Sequence, residues 1–202
     1  MTPLLLTSTG LTNQNITDCF LKIIDKPVSK IRIIFVPTAS RSKEELIYVL
    51  ESKKELLDLG IPEHNIKHLN LDHLVKFKEV RDFDVIYVCG GNTFYLLNKV
   101  KETGFDKVIK EFVETGKVYF GVSAGSILVC PNIDIAGPFD ENDVNLTDLT
   151  GLNLVDIVVS PHYCKKEKPT IDKLKKKSQY KVVTLTDDQA LLVIDGETKI
   201  IQ

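Results

Sequence analysis

The stretch Val118–Pro131, VYFGVSAGSILVCP, decides how the rest of the chain is read. Val118, Tyr119 and Phe120 are β-branched or aromatic, as in a strand buried on both faces. Gly121-Val122-Ser123-Ala124-Gly125 follows, matching Gly-x-Ser-x-Gly, and the apolar run Ser126 to Cys130 opens a helix that Pro131 ends. Strand, serine turn and helix in this order make a nucleophile elbow. The requirement is steric, because a serine on so tight a turn sits in strained backbone and only small neighbours let the helix approach the strand. Gly121, Ala124 and Gly125 supply that room. The turn pushes the Ser123 hydroxyl beyond the sheet edge and aims the first helical N–H groups, that of Ala124 foremost, at a space where an oxyanion would form.

Upstream of the elbow the same alternation repeats. Pro3 to Thr7 reads as a buried strand, followed by Ile16, Phe20, Ile23 and Ile24 at helical spacing. Ile31 to Val36 is a second strand. Ser42-Lys43-Glu44-Glu45 has the form of a capping box, with Leu46, Val49, Leu50 and Leu57 as the expected buried stripe of the helix after it. Ile66 to Leu69 reads as a short strand and Leu71 to Arg81 as an irregular crossover. Val85 to Cys89 is an apolar strand that runs into Gly90-Gly91-Asn92. Two helical stripes follow, one through Leu96, Leu97 and Val100, the other through Phe105, Val108, Ile109, Phe112 and Val113.

Downstream, Asn132 to Asn153 is rich in Asp, Asn, Gly and Pro and predicts a long surface excursion. Leu154 to Val159 is a strand that ends at Ser160-Pro161-His162-Tyr163, and a helix spans about Thr170 to Ser178. Val182 to Leu185, Ala190 to Ile194 and Lys199 to Ile201 close the chain as short strands. Strands apolar on both faces that alternate with helices predict a mostly parallel sheet covered on both sides, in one domain of 202 residues without a linker or repeat. In such sheets the site lies beyond the carboxyl ends of the strands. Gly90-Gly91-Asn92, Ser123 and His162 all stand at such ends, and their convergence on one edge predicts an active site.

Composition bounds the partners. With 43% hydrophobic and 27% charged residues and a formal net charge of -2, the chain belongs with globular proteins rather than polyanion binders, so neither nucleic acid nor membrane is expected. The Lys165 to Lys181 run reads as a solvated helix face, and the protein is expected in the cytoplasm. Four cysteines stand far apart, without metal or disulfide spacing, and are expected to be buried thiols. His64, His68 and His73 lack carboxylate or cysteine support for a metal and read as surface residues.

A serine hydroxyl needs a general base within hydrogen-bond reach, and His162 is the natural one. The Gly91 N–H, with no Cβ to block it, is a second oxyanion donor. The blocks GGNTFYLL at Gly90–Leu97, GVSAGSILVCP at Gly121–Pro131 and SPHY at Ser160–Tyr163 together resemble peptidase family S51, the dipeptidase E or aspartyl dipeptidase-like serine peptidases. The resemblance implies a class I glutamine amidotransferase-like (flavodoxin-like) domain, with Ser123 as nucleophile, His162 as base and Gly91 and Ala124 as oxyanion donors. It further implies substrate contacts from Asn92 and Thr93, short peptides as substrates, those with N-terminal aspartate among them, and neither cofactor nor metal.

Two departures accompany it. An ungapped match puts Pro138 where the family carries its triad carboxylate, so Asp140 is the expected partner of His162, ahead of Asp143, Glu141 and Asp134. The segment after the histidine, Lys165-Lys166-Glu167-Lys168-Pro169-Thr170, lacks the family's substrate-binding arginine, which puts aspartate preference in question. A related hydrolase for other acyl groups and a binding homologue without catalysis are the alternative readings. The sequence is compatible with a homo-oligomer and does not fix the oligomeric state.

Overall fold

The computed structural model describes residues 2–202. The chain runs β1 (Pro3–Thr7), α1 (Gln14–Ile24), β2 (Ile33–Val36), α2 (Lys43–Asp58), β3 (Ile66–His68), β4 (Val85–Val88), α3 (Thr93–Glu102) and α4 (Phe105–Glu114). It continues through β5 (Val118–Val122), α5 (Ala124–Leu128), β6 (Ile157–Ser160), α6 (Lys168–Lys177), β7 (Lys181–Thr184), β8 (Ala190–Ile194) and β9 (Glu197–Ile201). Seven strands form one sheet in the order β3-β2-β4-β5-β1-β8-β9. The first five are mutually parallel, and β8 and β9 add an antiparallel hairpin beside β1.

Because successive strand residues face opposite sides, the sheet sorts its apolar residues into two cores. Leu5, Phe35, Tyr87 and Phe120 face α1 and α2, while Leu4, Leu6, Ile86 and Tyr119 face α3, α4 and α5. Phe35, Tyr87 and Phe120 are register partners on β2, β4 and β5, and their rings stack across the sheet with centroids 5.3 and 4.6 Å apart. Each such fully buried ring contributes roughly 1.5–3 kcal/mol of burial free energy. The sheet centre is therefore the rigid platform from which the loops at its carboxyl edge project.

The structure corrects the expected organisation at four places. The strand expected at Leu154–Val159 begins at Ile157 and does not join the main sheet; it pairs in parallel with β7 as a separate two-stranded ribbon over α5. The capping box at Ser42 and Glu45 forms, but α2 buries Val49, Ser52 and Leu56. Leu50 is 66% exposed and Leu46 and Leu57 are also exposed, so that of the expected stripe only Val49 faces the core. The excursion after Pro131 is not wholly superficial. Ile133, Ile135, Ala136 and Leu152 are buried, and Asn132 bridges Thr150. Of the cysteines, Cys89 and Cys130 are buried, Cys19 is half-buried and Cys164 is exposed. Among the described residues no helix is long and apolar enough to cross a membrane.

Candidate active site

Three loops meet at the carboxyl edge of the sheet, after β1, β4 and β5, and the β6–β7 ribbon delivers two more. The elbow is built by close approach. A Cβ on Gly121 would lie 2.6 Å from the Gly125 carbonyl oxygen, and one on Gly125 would lie 2.4 Å from that of Val88, so α5 can start at this distance only with glycine at both positions. The Tyr119 hydroxyl donates to the Gly125 carbonyl at 2.7 Å, and the buried Ser126 hydroxyl lies 2.7 Å from the Thr7 carbonyl, pinning the first turn of α5 to β5 and β1. Held between them, Ser123 adopts φ 49°, ψ -110°, a region that a residue with a Cβ occupies only under constraint.

His162 follows β6 with φ 57°, also left-handed. Its N–H donates to the Ser8 hydroxyl at 3.1 Å, and that hydroxyl donates to the Leu185 carbonyl at 3.2 Å, so one buried side chain after β1 ties the ends of β6 and β7 together. The Tyr163 N–H closes the same corner onto Leu185 at 2.8 Å. The ring then stands with Nε2 2.9 Å from Ser123 Oγ and Nδ1 2.7 Å from Asp187 Oδ1. A carboxylate only accepts, so Nδ1 carries the proton of the neutral ring and Nε2 is left to accept from the serine hydroxyl.

The imidazole's carboxylate partner is therefore Asp187, and not the expected Asp140. Asp140 accepts the Thr93 N–H at 2.8 Å, where α3 leaves its first N–H groups without intrahelical acceptors. Its neighbours are also turned elsewhere, with Asp143 paired to Arg41 at 2.7 Å and the Glu141 carbonyl accepting from Asn92. Asp187 lies in the turn between β7 and β8, and that turn is fastened to the loop after β1. Thr9 donates to the Asp187 carbonyl, and Asn13 donates to that of Asp188 at 2.8 Å. Composition gave Asp187 no distinction among the loop carboxylates. Its one signal is position, directly after a strand whose carboxyl end shares an edge with Ser160-Pro161-His162.

Gly91 sits at φ 130° against the Ala39 carbonyl, where a Cβ would lie 2.2 Å from oxygen, and Ser40 Oγ donates to the Gly90 carbonyl at 2.8 Å. The Gly90-Gly91 turn is thereby pressed beside Ser123, since a Cβ on Gly90 would stand 3.0 Å from that of Ser123. Ala124 is the first residue of α5, so its N–H is one of those without an intrahelical acceptor. Asn92 caps α3 by accepting the Tyr95 N–H at 2.9 Å while its amide donates to Glu141, so both ends of that side chain are engaged. Thr93 is buried beside Asp140.

Two cavities flank Ser123 and His162. The larger, about 520 Å³, lies toward α2 and is lined by Gly91, Cys89, Glu51 and Glu55 among others; the smaller, about 100 Å³, lies toward Thr93, Phe139 and Asp140. Burial pushes the Cys89 thiol well above its usual range, which leaves it protonated and inert at the cavity wall. Among the described residues no three His, Cys, Asp or Glu side chains are grouped to hold a metal ion.

Comparison with known proteins bears on the same constellation. An uncharacterized peptidase of Listeria innocua is 42% identical over 135 residues, which is 65% of this chain and 64% of its own length, so the chain spans just under two thirds of that relative. An uncharacterized peptidase of Pasteurella multocida is 34% identical over 93% of this chain and 92% of its own. The crystal structure of a candidate peptidase E of Listeria monocytogenes superposes with a TM-score of 0.83 at 32% identity, covering 99% of this chain and 98% of that one. With the family model matched from residue 4 to residue 201, β1 through β9, the chain belongs to peptidase family S51.

Proposed function

We propose that this protein is a serine peptidase that hydrolyses short peptides by acyl transfer. The observation that carries the reading is the hydrogen-bonded series Asp187–His162–Ser123, with spacings of 2.7 and 2.9 Å, ending on a strained elbow between two cavities. In this reading Ser123 Oγ attacks the scissile carbonyl carbon as its proton passes to His162 Nε2, and Asp187 stabilises the imidazolium through Nδ1. The N–H groups of Gly91 and Ala124 receive the oxyanion, an arrangement typically worth 10²–10³ in rate per donor. Collapse of the tetrahedral intermediate moves the proton to the departing amine. Water then repeats the sequence on the acyl-enzyme and releases the acid.

Pro138 at the family's carboxylate position does not leave the imidazole without a partner, because Asp187 reaches Nδ1 from another loop. A fluorophosphonate probe and a panel of dipeptides test the reading together. Stoichiometric phosphonylation of Ser123 in wild type, absent in Ser123→Ala, with peptide cleavage lost in the same variant, is the expected result. Peptide cleavage that persists in Ser123→Ala, or an unreactive serine with no cleaved peptide, overturns it.

A further inference from the structure

The charge around the two cavities is of one sign. Glu45, Glu51, Glu55 and Asp187 line the larger, Asp140 and Glu167 the smaller, and no lysine or arginine lines either. Among the described residues no lysine or arginine forms a salt bridge with Glu45, Glu51, Glu55, Asp140 or Glu167. Glu45 is committed to the cap of α2 through the N–H groups of Arg41 and Ser42. Glu55 is different: it is half-buried, receives the Leu11 N–H on Oε2 at 3.0 Å, and faces the cavity with its other oxygen uncommitted. Burial, with the charge of Glu51 behind it, raises its carboxyl above the usual range, a cost that a cation placed against it would reverse.

A second observation marks the same corner. The fully buried Tyr87 hydroxyl is directed at Ser52 and lies near Glu55, both on the cavity wall, and makes no hydrogen bond of ordinary geometry. A Cβ on Gly10 would meet Glu55 Oε2 at 2.7 Å and that hydroxyl at 3.4 Å, so the two polar atoms approach one point beside Gly10. The carboxylates of Glu51 and Glu55, without a salt-bridge partner among the described residues, thus line a space large enough for a peptide residue.

We propose that the larger cavity is a subsite for a basic side chain of the peptide, a Lys ammonium or Arg guanidinium held by Glu55 and Glu51, so that this chain prefers basic to acidic substrates. The inference rests on the peptidase reading above and adds the substrate class to it. The free α-amino terminus of a short peptide carries the same charge, and acetylation separates it from the side chain.

The test compares kcat/KM for peptides with Lys, norleucine, Ala or Asp beside the scissile bond, each free and N-acetylated, in wild type and in Glu55→Gln, which keeps an acceptor for the Leu11 N–H. Calorimetric binding of the same peptides to Ser123→Ala reads the subsite without turnover. The expected result is a preference on the order of tenfold or more for the cationic peptide over its neutral match, collapsing in Glu55→Gln. A preference for Lys over norleucine that survives acetylation supports the subsite; one that acetylation removes assigns the charge to the amino terminus and overturns it. Best cleavage of Asp peptides, or a Lys-to-norleucine ratio untouched by Glu55→Gln, overturns the inference and leaves the peptidase reading standing. No cleavage of any peptide, together with Glu55-dependent binding of cationic peptides to Ser123→Ala, does the reverse.

Discussion

Asp187→Asn isolates the carboxylate that His162 contacts. Asn keeps the shape and can still meet Nδ1, but it removes the charge that faces the imidazolium formed when Ser123 gives up its proton. Opposite charges about 4 Å apart interact by roughly 1 kcal/mol in water and roughly 4 kcal/mol at the effective dielectric of a protein surface. The Asp187 side chain is 69% exposed and that of His162 45%, so solvent screens the pair and the lower half of the range applies. About 2 kcal/mol of transition-state stabilisation is expected to go, or roughly thirtyfold in kcat. Single-turnover acylation of wild type, Asp187→Asn and Asp140→Asn, with urea denaturation of each, measures it. Asp140→Asn should cost about 1 kcal/mol of stability through the start of α3 and change acylation by no more than a few fold. If Asp140→Asn abolishes acylation while Asp187→Asn acylates like wild type, the assignment of the imidazole partner is refuted.

Gly91→Ala should be severely destabilising, by more than about 3 kcal/mol, because its Cβ would enter the Ala39 carbonyl at 2.2 Å and its φ is 130°; urea denaturation and soluble yield report it. Leu56→Ala should cost about 2–4 kcal/mol, whereas Leu50→Lys, six positions earlier on α2, should stay within about 0.5 kcal/mol, and equal losses would contradict the buried stripe of that helix. Ser123→Gly should raise the unfolding free energy by about 1 kcal/mol over Ser123→Ala by relieving the backbone at φ 49°, measured by the same denaturation, although both lack the nucleophilic hydroxyl.

The elbow was legible in the sequence because close approach of α5 to β5 and β4 leaves no substitute for Gly121 and Gly125, and a buried strand leaves a continuous apolar run at Val118–Phe120. His162 was legible for the same reason, as a lone titratable group at the end of another such run. Asp187 was not, since an exposed turn carboxylate leaves the same local pattern whether it solvates a loop or orients a ring. What distinguishes it is the parallel pairing of β7 with β6, which puts residues 157 and 181 in register across intervening helix and loop and has no periodic signature. The face of α2 was legible only in part: Val49 is buried as expected, but Leu46, Leu50 and Leu57 fit helical spacing as well as Ser52 and Leu56 do, and a buried serine hides the true stripe.

The position of β1 has a consequence for synthesis. It lies between β5 and β8, pairing with residues 119–122 on one side and 190–194 on the other. β1 is thus made well before its partner β8, and at about 5–20 residues per second that delay is on the order of ten seconds or more. Until then Ser8 has no Leu185 to hold, Thr9 has no Asp187 turn to fasten, and the imidazole lacks its carboxylate. On the ribosome the chain would carry Ser123 and His162 before Asp187 and β8 exist, so the hydrogen-bonded series on which the proposed peptidase reading rests assembles only after β8 has been made.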